Sequence, residues 1–185
     1  MISDHLIDCI IAVPGFVDMN IKHLFSNTEM LGPKYIEASL LYHGYSVDLF
    51  NSYSDGIPTD VIIDNIVHKN PYLVGVTCAS QRGYPFVKEF VKDLVTNGFS
   101  GKIIIGGFYA TIEAEKILLD LPMVDAVNLG EGEFSFPEIL HSVIESGIIP
   151  DIPGVAFRKK GQIIVNPPVK LKDLDLPFFP KRTPL

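Results

Sequence analysis

The chain has 185 residues, enough for one domain with a sizeable core, and its 47% apolar and 20% charged residues are an ordinary balance for a globular protein. A formal charge of −7, from 15 basic and 22 acidic residues, argues against a nucleic-acid or anionic-membrane surface, either of which needs a basic patch. No apolar run approaches the roughly twenty residues of a membrane span, and the start MISDHLIDCIIAV lacks the basic opening and small-residue cleavage site of a signal peptide, so a cytoplasmic protein is expected.

Short apolar runs alternate with longer patterned segments along the chain. LIDCIIAV (6–13) reads as a buried strand. The polar loop that follows is long, and loops of that length are uncommon unless functional or disordered. Its Asp18 and His23 are candidate ligands, beside the plainer reading of both as solvated loop residues. PKYIEASLLYHG (33–44) reads as a helix, with Pro33 suited to its first turn and Gly44 to its C-terminal cap. SVDLFN is a short second strand. TDVIIDNIVHKN (59–70) puts Ile62, Ile63, Ile66 and Val67 on one face, with Thr59 as N-cap and Asn70-Pro71 as the stop.

YLVGVTC (72–78) is the third strand. In PFVKEFVKDLVTNG (85–98), Phe86, Val87, Phe90, Val91 and Leu94 form a helical stripe closed by Gly98. GKIIIGG (101–107) is the fourth strand, and TIEAEKILLDL (111–121) is a helix with Thr111 as its expected cap. VDAVNLG (124–130) is the fifth strand. SFPEILHSVIESG (135–147) is a helix whose Ser135 and Glu138 have capping-box spacing, with Gly147 at its end.

Five strand–helix units in succession predict an α/β fold: a doubly wound, parallel, five-stranded sheet of flavodoxin or Rossmann-like type, order 2-1-3-4-5. GVAFRKKGQIIVN (154–166) then predicts a β-hairpin turning at 159–161, and the proline-rich remainder reads as an extended tail. The expected division is an α/β domain over 1–150 and a hairpin with linker over 151–185.

A ligand in such a sheet sits at the carboxyl ends of the strands, near the reversal of strand order. The third strand ends in Thr77, Ser80 and Gln81, whose hydroxyls and amide could meet a ligand or simply make turns and caps. The fourth ends in Gly106 and Gly107, with Phe108 beside them. The fifth ends in Gly130, Glu131, Gly132 and Glu133. Glycines there can expose backbone N–H groups, while the two carboxylates would repel a bare phosphate and accept from hydroxyls or amides. Two neighbouring strand ends without side chains imply a groove for something thin and polar.

Other functions of this fold lack their residues. The first strand is not followed by the acidic cluster of a phospho-receiver, the hydroxyl-rich loop of a flavin protein, or G-x-G-x-x-G, and no G-x-x-x-x-G-K-[ST] occurs. The two cysteines, Cys9 and Cys78, fall in or beside apolar strands and read as core thiols; they are too few for a cysteine-only zinc site or an iron–sulfur cluster.

VGVTCAS, KIIIGGFYATIEAEKIL, VDAVNLGEGEFSFPEIL and IPGVAFRKKGQIIVNPPVKLKDLDLPFFPKR together resemble the N-terminal part of cobalamin-binding radical S-adenosylmethionine proteins, most clearly over 72–182. The resemblance implies a cobalamin-binding domain, with the nucleotide tail entering the sheet edge and the corrin ring over the strand ends. Thr77 and Ser80 would match the hydroxyls after the third strand, Gly106 and Gly107 would line the tail's passage, and Gly130 to Glu133 would contact nucleotide or ring edge. The D-x-H-x-x-G motif that ligates cobalt in many cobalamin domains is absent, which leaves the lower cobalt ligand unassigned. The C-x-x-x-C-x-x-C motif is absent too. The resemblance therefore implies a radical S-adenosylmethionine catalytic domain, with its [4Fe-4S] cluster and S-adenosylmethionine, supplied in cis or in trans. Methyl transfer or a related radical reaction is then implied for the parent enzyme, with this chain not catalytic alone. The alternatives are a cofactor-free domain of the same fold serving substrate or partner contact, and a small enzyme using Glu131 or Glu133 as a base.

Overall fold

The computed structural model describes residues 5–15, 30–168 and 176–181. Among them are seven strands: β1 (Cys9–Val13), β2 (Val47–Asn51), β3 (Leu73–Thr77), β4 (Lys102–Gly106), β5 (Ala126–Asn128), β6 (Val155–Lys159) and β7 (Gln162–Val165). The helices are α1 (Leu31–Tyr42), α2 (Thr59–Lys69), α3 (Tyr84–Thr96), α4 (Phe108–Ile112), α5 (Ala114–Asp120) and α6 (Gly132–Ser146). The strands form one sheet in the order β2-β1-β3-β4-β5-β6-β7. The first five are parallel, in the expected order.

The hairpin is part of this sheet. β6 pairs antiparallel with β5, and β7 with β6. It thereby covers the edge of β5, a fully buried strand of three residues that would otherwise present unpaired backbone groups. Lys160 (φ 52°) and Gly161 (φ 81°) make the two-residue turn in the left-handed conformation that such hairpins use.

Alternation along the strands sorts the core into two layers. Ile10, Ala12, Val74, Val76, Ile103 and Ile105 face α2 to α5. Cys9, Ile11, Leu73 and Ile104 face α1 and α6 on the other side. Both cysteines are buried free thiols; burial raises both, Cys78 to about 12. They belong to the core.

Three expected N-caps lie inside their helices. α2 includes Thr59, with Pro58 at the cap position. Gly107, at φ 106°, turns the chain so sharply off β4 that α4 begins at Phe108 and the helical region breaks at Glu113. Thr111 is thus inside α4: its hydroxyl donates to the Gly107 carbonyl at 3.0 Å and accepts the Gly130 N–H at 3.0 Å, tying the fourth strand end to the fifth. Ser135 is likewise inside α6, which starts at Gly132.

The early start of α6 places Pro137 in the helix interior. Proline has no N–H, so the carbonyl four residues earlier, that of Glu133, loses its helical partner. The fully buried Ser39 of α1 donates its hydroxyl to that carbonyl. One side chain therefore repairs α6 and fastens α1 to it.

At the far side of the sheet, the Asp125 carboxylate accepts the Ile103 N–H at 2.9 Å and pairs with Lys102, so the aspartate of V-D-A-V is structural. Arg158 of β6 donates to the carbonyls of Leu118, Leu121 and Val124, closing the C-terminal end of α5.

Replacing Ser39 by Ala should lower stability by about 1–2 kcal/mol, seen as a Tm fall of roughly 2–8 °C, because it orphans a buried carbonyl. In a Pro137→Ala background the restored N–H supplies the missing donor, so the same Ser39→Ala change should cost much less in a double-mutant denaturation cycle.

Candidate functional site

Order reverses between β1 and β3, and α1 and α6 flank that reversal on one face of the sheet. Where their N-termini meet the strand ends lies a cavity of about 110 Å³. Its floor is Ile11 of β1, Gly75 to Thr77 of β3, Gly106 of β4 and Asn128 of β5. Its walls are Gly32, Pro33 and Ile36 of α1, and Phe136 with the Gly130–Glu133 turn of α6. Among the described residues neither helix has a side-chain cap on its first turn.

The sequence-derived glycines all line this one cavity, for different reasons. Gly106 has space: a Cβ there would come no closer than 3.8 Å to Asn128. Gly107 is required by its positive φ and by close backbone approach, since a Cβ would lie 2.9 Å from the Cys78 carbonyl oxygen. Gly130, at φ 67°, packs under Pro168, and Gly132 leaves room for Ile36 and for Asn128 Oδ1.

Thr77 and both acidic residues of the turn also line the cavity. Ser80, Gln81 and Phe108 are exposed and outside its lining. The Ser80 hydroxyl accepts the Gly83 N–H at 3.1 Å, and the Gln81 carbonyl accepts the Tyr84 N–H, both turn contacts before α3. Phe108 is 74% exposed at the start of α4. Asp18 and His23 lie outside the described residues.

Sequence reasoning missed Gly75, Asn128, Phe136 and the α1 wall. Gly75 had a signal, since glycine inside an apolar strand often marks close approach. A Cβ there would sit 2.7 Å from Phe136 Cζ, so the bare backbone is the seat of that ring. Asn128, a polar residue inside an apolar run, was also visible. Nothing local separates Phe136 from any other core aromatic.

Among the described residues, two buried polar atoms in the cavity lining have no hydrogen-bond partner: Asn128 Oδ1 and Glu133 Oε2. Glu133 is 7% exposed; burial, reinforced by the charge of Glu131, raises its carboxyl above the ordinary range. A slot with apolar walls and unpartnered polar atoms suits a flat apolar ring with polar attachments. Among the described residues no group of three or more His, Cys, Asp or Glu could hold a metal ion, and no helix is long and apolar enough to cross a membrane.

The profile of the B12-binding domain family, described as "B12 binding domain", matches residues 19–140. The chain belongs to that family. It is 26% identical over 140 residues to an uncharacterized methyltransferase of Pyrococcus horikoshii, covering 75% of this chain and 30% of that protein. Two solved structures share the fold. The cobalamin-dependent S-adenosylmethionine radical enzyme OxsB, with aqua-cobalamin and S-adenosylmethionine bound, has TM-score 0.70 and 15% identity over 89% of this chain and 23% of its own. The radical S-adenosylmethionine methyltransferase TsrM from Kitasatospora setae, with cobalamin and a [4Fe-4S] cluster bound, has TM-score 0.69 and 14% identity over 94% of this chain and 31% of its own. The chain spans about 30% of the length of the curated relatives it matches.

The glycine pair should split under substitution. Gly107→Ala should cost about 1–3 kcal/mol in denaturant unfolding, from backbone strain, while Gly106→Ala should stay within about 0.5 kcal/mol of the parent. A raised carboxyl means that the folded protein holds the Glu133 proton more tightly than the unfolded chain does. That stabilisation is complete below the unfolded value and is lost as pH rises through the folded one. Glu133→Gln should therefore match the parent near the acid end of a urea-denaturation pH series and exceed it near neutrality.

Proposed function

We propose that the cavity receives the nucleotide tail of cobalamin, and that this chain is the cobalamin-binding part of a larger radical S-adenosylmethionine enzyme. The observation that carries the reading is the meeting of two glycine-ended strands in one apolar slot that contains unpartnered buried polar atoms, at the reversal of strand order. Family membership supports the cofactor, and the names of the relatives support the parent reaction.

The residues fit the group. Ile11, Ile36 and Phe136 offer apolar surface to an aromatic base. Gly106 keeps the strand end low, and Thr77, Glu131 and the N–H groups of the turn offer polar contacts to ribose and phosphate. Ser80, Gln81 and Phe108, exposed at the same strand ends, are assigned to the wider part of the cofactor. Bound cobalamin supplies a cobalt centre able to carry a methyl group.

In this reading the region 1–150 is the cofactor-binding part, while β6 and β7 extend the sheet and the region 151–185 is the connection toward the catalytic domain. That domain, in cis or in trans, carries the [4Fe-4S] cluster and S-adenosylmethionine, and the parent reaction is methyl transfer or related radical chemistry. The buried free thiols accord with a reducing, cytoplasmic setting.

The chain mixed with hydroxocobalamin and desalted should retain the cofactor's visible absorbance; a folded chain that emerges colourless overturns the reading. Gly106→Ala should keep the parent's melting temperature and weaken cobalamin binding roughly ten-fold, because its methyl group enters the slot. Titration calorimetry measures that ratio.

A further inference from the structure

Asn128 ends β5, is 3% exposed and lines the cavity. Its Nδ2 donates to Ser135 Oγ at 2.9 Å and to the Gly154 carbonyl at 3.1 Å. A carbonyl only accepts, so the amide nitrogen must face Gly154 and the oxygen must face the other way. The orientation of the amide is thereby determined. Oδ1 is the end left over, and it lies beside Gly132 on the cavity wall: a Cβ on that glycine would come 2.8 Å from it.

This oxygen has no partner among the described residues, although both bonds of the nitrogen are made. An unpaired buried acceptor costs free energy, and β5 is otherwise apolar at this depth. The cost is recovered when a ligand brings an N–H or O–H donor. Backbone around it is already used: the Leu129 N–H goes to the Gly154 carbonyl, and the Gly130 N–H goes to Thr111.

We propose that Asn128 is a specificity residue of the cobalamin site, whose Oδ1 accepts a hydrogen bond from a donor on the nucleotide portion of the cofactor. The inference rests on the cofactor reading above. The required chemistry is one N–H or O–H group carried on or beside a flat ring. Two parts of a cobamide nucleotide can supply it: a ribose hydroxyl, present with any base, or an exocyclic amine, present on adenine and absent from dimethylbenzimidazole. Apolar walls hold the ring, and Asn128 reads the donor attached to it.

The probes are cobalamin, the adenine-containing cobamide, and cobinamide, which has no nucleotide. Their dissociation constants are measured by calorimetry on the parent chain, Asn128→Ala, the similarly shaped Asn128→Leu, and Ser135→Ala. The Gly154 carbonyl keeps its bond from Leu129 in every variant, so the fold should persist, and apo melting curves check it. Both Asn128 variants should lose roughly five- to ten-fold of the preference for a nucleotide-bearing cofactor over cobinamide. Ser135→Ala should keep that preference, because it removes a partner of the nitrogen only.

Equal loss for cobalamin and the adenine cobamide identifies a ribose hydroxyl as the donor; loss confined to the adenine cobamide identifies the base amine. An unchanged preference in both Asn128 variants overturns the inference while leaving the cofactor reading intact, as does an equal weakening of all three probes. A parent chain that binds none of the probes overturns both.

Discussion

The architecture turns on a proline that α6 should not tolerate. Pro137 removes an N–H from the helix interior, and the Glu133 carbonyl it abandons is met by the Ser39 hydroxyl of α1. α1 and α6 cover the same face of the sheet. The bond joins the last turn of α1 to the first turn of α6, and the N-terminal parts of both helices line the cavity. A local defect in one helix thus becomes a joint between the two helices that flank the site.

The site also follows from topology. The chain leaves β1 in one direction and returns to β3 in the other, so the helices that follow diverge, and a crevice opens at the carboxyl ends. Glycine then adjusts the floor at two places. Gly75 lets the Phe136 ring lie on the strand, and Gly106 leaves room above β4. Around this apolar space stand few polar groups, each oriented by structure outside it. Thr111 holds the Gly130 turn, and Gly154 orients Asn128. A cavity of this kind would discriminate by what its buried acceptors demand as well as by shape.

Much of the fold was legible in residue pattern. The apolar runs, the stripe on α3 and the terminal glycines of the helices specify five strand–helix units, and their alternation implies the parallel order. The hairpin was legible with its turn, but its attachment to β5 was not, because edge pairing depends on which strand is left open once the sheet is assembled. Ser135 and Thr111 had the chemistry of caps. Both became interior residues because the helices start three residues earlier, α6 at Gly132 and α4 at Phe108 after the left-handed Gly107. Their hydroxyls then took longer-range partners.

The sequence alone determined the class of fold, the carboxyl edge as the place where a crevice opens, and the cluster of glycines there, because these depend on periodicity and on backbone freedom, which are local properties. Only the tertiary structure decided which glycine leaves space and which is filled by a neighbour, that Ser80 and Gln81 lie outside the cavity lining, and that Asn128 holds an oxygen in its wall with no partner among the described residues. Whether a polar atom is satisfied depends on groups brought close from distant parts of the chain, and Gly154 lies 26 residues from Asn128.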